Sequence, residues 1–386
     1  MTPAARIQSA IEILDRALAG EAAEAVLTGW ARSNRFAGSG DRAGIRDLVY
    51  DALRCQASYA HLGGAMSGRG LMIGLLRTQG VDPETLFTGE KFAPDALNSV
   101  EKTVPAPAEG LTALDCPTWL ATALRANLGA DFEAVMQVLR TRAPVYLRVN
   151  VRKTTVAEAM AALDAEGIIT KRIDLAENAL EVVENPRKVA SSLAYTQGLV
   201  EVQDSSSQAA IESLDIRSGM KVLDYCAGGG GKALAMAARM PSANFLAHDV
   251  DAGRMGDLPV RAKRAGAKID TCAPYTAKGP FDLVVVDAPC SGSGTWRRTP
   301  EAKWRLTPER LAELAGIQVE IFAAVAPMVA PGGRIAYMTC SLLDVENATQ
   351  IAAFLAANPE WKLVEERRIL PLDGGDGFYM AQVQKP

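Results

Sequence analysis

Residues 221–240 read KVLDYCAGGGGKALAMAARM, and the fold is decided here. An apolar strand closes on Asp224, four glycines run from Gly228 to Gly231, and an Ala-rich helix begins near Lys232. Glycines at such a turn let the chain reverse tightly and leave backbone N–H groups at a helix start open to a ligand. The next apolar segment, ANFLAHD at 243–249, ends on Asp249, whose carboxylate is placed to accept hydrogen bonds from two ribose hydroxyls. A P-loop is disfavoured, because Cys226 stands where its first glycine belongs and Ala233 follows Lys232 in place of Ser or Thr. A dinucleotide site is compatible with these two features alone, so the later strands must decide.

Downstream, FDLVVVDAPCSGSGTWRRTPEAKW (281–304) and RIAYMTCSLLDVEN (334–347) each carry a buried-type strand followed at once by polar and thiol groups. Strand and helix alternate from Met220 onward, which predicts a doubly wound, mainly parallel sheet, closed by a terminal strand pair at 361–364 and 378–384. Ligands in such sheets bind beyond the carboxyl ends of the strands. Asp224, Asp249, Asp287, Cys290 and Cys340 then share one edge. Two thiols there suit attack on a pyrimidine. Carbon 5 of cytosine is a poor nucleophile until a thiolate adds at carbon 6. A base must afterwards take the carbon-5 proton so that the thiol can leave, while a carboxylate can bind N3 and the amino group.

Upstream, the character is different. Residues 4–19, 21–33 and 41–59 have apolar residues at helical spacing, and 117–128 and 132–141 form a further helical pair. A Pro-bearing stretch at 99–110 reads as a linker, and VYLRVN, a helix at 156–166, ALEVV and LVEVQD make a small α+β module. The division is therefore 1–141 all-α, 142–210 α+β and 211–386 α/β. With 48% hydrophobic and 22% charged residues and no run of about 20 uninterrupted apolar residues, the chain is expected to be cytoplasmic and to have no membrane partner. Six cysteines without a C-x-x-C pair, and only His61 and His248, predict reduced thiols and no metal. The net charge of −4 hides a local excess, since 254–310 holds eleven Lys or Arg against six Asp or Glu.

D-A-P-C-S at 287–291 and T-C-S at 339–341, with RVNVRKT, VQDSSSQ, PEAKW and DGF, resemble the RsmB/Nop/Sun family of RNA cytosine-5 methyltransferases from about Arg148 to the C-terminus. The segment SGDRAGIRDLVYDALR resembles the NusB-type helical domain of bacterial RsmB proteins, which helps hold RNA. The resemblance implies a class I, Rossmann-like methyltransferase domain using S-adenosylmethionine and acting on RNA, with ribosomal RNA of the small subunit as the expected substrate and a monomer as the expected state. It implies Cys340 as nucleophile, Cys290 in product release and Asp287 on the target base. Expected cofactor contacts are Cys226, Ala227, Gly228, Gly229, Gly230, Gly231, Lys232, Asp249, Arg254 and Asp287. The family loop D-x-C-A-A-P-G-G-K has Ala-Pro where this chain has Gly228 and Gly229. Asp270 is the one carboxylate offered for the adenine amino group, which the family takes after its third strand.

Arg297, Arg298, Lys303, Trp304 and Arg305, with Trp296, form a basic and aromatic stretch expected to hold RNA, since such residues stack unpaired bases and pair with phosphates. Arg148, Arg152 and Lys153 are weaker candidates for the same role. Two other readings are open. A DNA cytosine-5 methyltransferase would use Cys290 as nucleophile and leave Cys340 without a role. An RNA-binding assembly factor could keep the fold without the activity.

Overall fold

The computed structural model describes residues 1–386. The chain divides into two compact units, one of Met1–Arg142 with Trp296–Arg305, the other of Ala143–Thr295 with Leu306–Pro386.

The first unit is helical. Helices Pro3–Leu18, Ala23–Ser33 and Ser39–Arg54 follow the apolar periodicity and bury Ile7, Leu14, Val26, Ile45 and Val49 in one core. The expected third helix (41–59) breaks at Cys55, and a separate helix runs Gln56–Gly63. The buried helix Gly68–Thr78 did not show in the sequence pattern, because its glycines read as breakers. They are there for close approach: a Cβ on Gly74 would stand 2.0 Å from Tyr59 O, and one on Gly70 2.1 Å from Ala65 O.

The second unit has two sheets. Strands β1 (Val145–Val149), β2 (Thr170–Arg172), β3 (Ala179–Val182) and β4 (Val200–Val202) form an antiparallel sheet in the order β2-β3-β1-β4. The three-residue β2, TKR, is polar and largely exposed, so it carried no apolar alternation to predict it. The larger sheet comprises β5 (Lys221–Asp224), β6 (Asn244–Ala247), β7 (Asp270–Thr271), β8 (Phe281–Asp287), β9 (Val329–Thr339), β10 (Lys362–Ile369) and β11 (Phe378–Gln384). Its order is β10-β11-β9-β8-β5-β6-β7, with β11 antiparallel to both neighbours and the five strands from β9 to β7 mutually parallel.

From β5 the chain winds outward through β6 and β7, then returns to place β8 and β9 on the other side. The winding direction thus switches between β5 and β8, the position at which open α/β sheets bind ligands. Helix Pro308–Val325 is long and apolar enough to cross a membrane by composition, yet it turns Leu314, Gln318, Phe322 and Val325 into the interior of this unit.

Candidate active site

Beyond β5, the loop residues 225–230 turn into helix Gly231–Arg239 through Gly230, whose φ of +77° is one that only glycine adopts at little cost. A Cβ there would meet Leu258 Cδ1 at 2.2 Å. Asp224 is 2% exposed. Its Oδ2 accepts from Ala233 N at 3.1 Å, while Oδ1 has no partner. Burial pushes its carboxyl up from 3.8 to about 7, against the pull of Lys232 and with help from Asp287 and Asp249. Lys232 Nζ lies 2.6 Å from Asp287 Oδ2 and over the Phe378 ring. Burial works against the Lys232 charge, but Asp287, Asp224 and Cys340 outweigh it and hold the ammonium above its ordinary value.

Beyond β6, Asp249 accepts from Gly228 N at 2.9 Å and Asp251 N at 3.0 Å, and pairs with Arg254 at 3.3 Å. Its carboxylate therefore fastens the glycine loop from behind, and Arg254 lies across its outer side. Asp270 is an exposed residue within β7, not beyond its carboxyl end. Past that end the chain places Cys272 and Tyr275, whose N–H donates to His248 Nε2.

Beyond β8 and β9, which are parallel neighbours, Cys290 Sγ and Cys340 Sγ stand 3.5 Å apart. The hydrogen bond to Cys340 pushes the Cys290 thiol well up; burial and the nearby Glu346 push the same way. The strand pattern puts Asp224, Asp249, Asp287, Cys290 and Cys340 on one edge, and all five follow or end parallel strands there, with Lys232 added on the helix that follows the loop.

The sequence profile of the family described as 16S rRNA methyltransferase RsmB/F matches residues 211–384, and that of the RsmF/B-like ferredoxin-like domain matches residues 116–190. Together they span more than half of the chain. The chain belongs to this family. Two relatives, each a ribosomal RNA small subunit methyltransferase B, come from Yersinia pestis bv. Antiqua and Vibrio cholerae serotype O1. They are 33% and 34% identical over 284 residues, which is 70% of this chain and 66% and 65% of theirs. The match thus falls just short of two thirds of those relatives' length. The crystal structure of PH0851 aligns over 100% of this chain and 99% of its own at a TM-score of 0.79 and 25% identity.

The cofactor of RsmB/F methyltransferases is S-adenosylmethionine, and this site fits it. Asp224 Oδ1 is a buried acceptor without a partner, at the carboxyl end of β5 beside the glycine loop. Three carboxylates (Asp224, Asp249 and Asp287) against Lys232 and Arg254 suit a ligand with a sulfonium and an ammonium.

The expected RNA stretch of this RsmB/F chain is corrected. Arg297 is 4% and Lys303 1% exposed, and Trp296 is fully buried. The whole stretch Trp296–Arg305 belongs to the helical unit. There Lys303 Nζ donates to Arg54 O at 2.9 Å, Trp304 Nε1 to Leu53 O at 2.8 Å, and Arg305 to Glu21 O. Arg54 Nε donates in turn to Arg297 O. Arg298 is half-buried and also has a partner. Trp296, Arg297 and Lys303 are thus interior, whereas Arg305 stays exposed and pairs with Glu301. Lys303 shows the consequence: burial lowers its ammonium from 10.5 to about 8, though Asp115 resists.

Arg148 is likewise buried; its Nη1 donates to Gly231 O at 2.9 Å and to Gln203, so it braces the cofactor helix from the smaller sheet. Lys153 is spent on Gln197 O and Arg264 O. Exposed cations occur in both units, and in the helical one Arg46 is paired with Glu24. Arg32, Arg35, Arg42 and Arg46 line a cavity of about 500 Å³ with Trp30, and Phe36 beside Arg35 is 75% exposed. The sequence reading also passed over Glu346, Asn347 and Gln318, all fully buried; the only signal was the Glu-Asn pair following T-C-S.

Proposed function

We propose that this protein methylates carbon 5 of a cytosine in small-subunit ribosomal RNA, in the cytoplasm, through a covalent bond between Cys340 and carbon 6 of the base. The observation that carries this reading is the pair of thiols 3.5 Å apart beside the Lys232–Asp287 ion pair. S-adenosylmethionine supplies the electrophilic methyl group. Cys340 Sγ adds to carbon 6 as its proton passes to N3, and the electrons displaced toward carbon 5 make it nucleophilic. Asp287 accepts from N3–H and the amino group of the adduct. Lys232 orients that carboxylate, and the glycine loop with Asp224, Asp249 and Arg254 holds the methyl donor. Once bonded to carbon 6, Cys340 is a thioether and no longer shares a proton with Cys290, so the hydrogen bond that most raises the Cys290 pKa is gone. Cys290 then gives its proton to solvent, its thiolate takes the carbon-5 proton, and the carbon 6–sulfur bond breaks to return the Cys340 thiolate, which takes back the proton from N3.

The DNA-type alternative has Cys290 attack and leaves Cys340, 3.5 Å away, without a role. RNA binds through the helical unit at the Arg32, Arg35, Arg42 and Arg46 cleft, with Phe36 offered as a stacking platform. In this reading 1–141, together with 296–305 from the later segment, holds RNA, and within the other unit 142–210 braces and the rest of 211–386 carries the chemistry. The test is methyl transfer to matched RNA and DNA oligonucleotides with denaturing gels. Cys340→Ala should abolish turnover and any protein–RNA band, and Cys290→Ala should accumulate a methylated covalent adduct. A band that survives in Cys340→Ala and is lost in Cys290→Ala would reverse the roles.

A further inference from the structure

Glu346 is fully buried, yet all four hydrogen bonds to its carboxyl come from neutral donors. Oε1 accepts from Ser291 N at 2.8 Å and from Gln318 Nε2 at 3.3 Å, and Oε2 accepts from the hydroxyls of Ser291 and Ser341. Burying a carboxyl without a cation is costly unless its lone pairs are satisfied. Here the donors that satisfy it are the residues directly after the two cysteines.

The residues directly before them are tied to the same place. Gln318 Nε2 also donates to Pro289 O at 2.9 Å, and Asn347 Oδ1 accepts from Thr339 Oγ1 at 2.5 Å while its Nδ2 donates to Ser341 O at 2.9 Å. Tyr337 OH, on the strand that leads to Cys340, donates to Glu346 O at 2.7 Å. Both chain neighbours of both thiols are therefore held by Glu346, Asn347 and Gln318. Ser293 adds a cross-link, accepting from Leu342 N and meeting Ser341 Oγ at 3.1 Å.

We propose that Glu346, through the serines that follow Cys290 and Cys340, is a positioning residue that sets the distance between the two thiols. It touches neither substrate nor cofactor. The proposal rests on the reading that both thiols act in turn: one must reach carbon 6 and the other the proton on carbon 5 of the same ring, so their separation governs the second half of the reaction. Geometry errors of about 1 Å at such sites cost about 100-fold in rate.

The experiment uses the full chain with Glu346→Ala and Glu346→Gln, and phenylarsine oxide as a probe of thiol spacing. The arsenical captures two adjacent thiols by forming two As–S bonds and releasing its oxygen with the two thiol protons as water. No electrons are exchanged. Mass mapping of the Cys290 and Cys340 peptides reads the bridge. The parent should be bridged readily and Glu346→Ala at least about tenfold more slowly, with kcat about 100-fold lower and unchanged KM for RNA and affinity for S-adenosylmethionine. Glu346→Gln keeps the side-chain length and an acceptor for Ser291 N, so it should restore part of both losses. If Glu346→Ala no longer binds the cofactor because it has not folded, Glu346→Gln alone decides by the same two readouts. Normal bridging in a folded variant overturns the proposal, whatever its kcat. Impaired bridging in a protein whose parent methylates no RNA would leave the positioning role standing and sink the functional reading instead.

Discussion

Asp224 should make cofactor binding depend on pH. Its carboxyl is 2% exposed and titrates near about 7 because burial disfavours the charge. A cationic ligand favours the ionised form, so below that value binding must first expel a proton. The ionised fraction is about a tenth at pH 6 and about nine-tenths at pH 8, and apparent affinity scales with the competent fraction. S-adenosylmethionine should therefore bind about tenfold more weakly at pH 6 than at pH 8, close to 1.4 kcal/mol. Calorimetric titrations in two buffers of different ionisation enthalpy would also count the released proton, nearly one at pH 6 and almost none at pH 8.

Stability carries the opposite sign. With the folded value raised from 3.8 to about 7, the folded state keeps a proton that the unfolded chain has already lost. Stability is therefore lost as pH rises from about 4 to about 7, by on the order of 4 kcal/mol if the whole shift is realised. Asp224→Asn, neutral throughout, should gain on the parent across that window and then stay level, while its cofactor affinity loses the pH slope. Equal parent affinities at pH 6 and pH 8, or the same slope retained in Asp224→Asn, would refute the reasoning.

Asp249→Ala removes the acceptor of Gly228 N and Asp251 N and should weaken cofactor binding by about 1–3 kcal/mol; unchanged calorimetry would take Asp249 out of the site. Gly230→Ala forces a side chain onto a left-handed residue and against Leu258, and should destabilise the unit by about 1–2 kcal/mol from the backbone alone, read by thermal melting; a melting point equal to the parent's would contradict the loop geometry. Arg35→Ala with Arg42→Ala should lower the slope of log affinity for RNA against log salt by roughly 0.7 per lost phosphate contact, whereas Lys303→Met should leave the slope alone. A slope that responds to Lys303 and ignores the arginines would return the RNA surface to 297–305.

The sequence made the larger sheet legible because its signals are local. Each of β5, β6, β8 and β9 is an apolar run ended by a polar or thiol residue, and the crossover order follows from alternation with helices. That much sufficed to put Asp224, Asp287, Cys290 and Cys340 on one edge. Glu346 was not legible for the same reason. Nothing within D-V-E-N says that its carboxyl turns inward, since its partners Ser291 and Gln318 lie 55 and 28 residues away in the chain. Helix Gly68–Thr78 was lost because glycine lowers helix propensity, and only the neighbouring backbone reveals what the missing Cβ is for.

The misreading of 297–305 follows from a different limit. A cluster of Arg, Lys and Trp has the same composition whether it meets phosphates or carbonyl oxygens, and the amino-acid types do not separate the two. What separates them is the supply of acceptors: helix ends leave carbonyls unpaired, and Leu53 O and Arg54 O at the end of helix Ser39–Arg54 take Trp304 and Lys303. The stretch begins three residues after Ser293, which is bonded to the Cys340 loop, and is built into the core of the helical unit that also carries the arginine cleft. One covalent segment thus runs from the thiol-bearing loop into the unit proposed to hold RNA. Its Lys303 and Trp304 act as anchors on those carbonyls, and the proposed RNA surface lies among exposed arginines of the same unit.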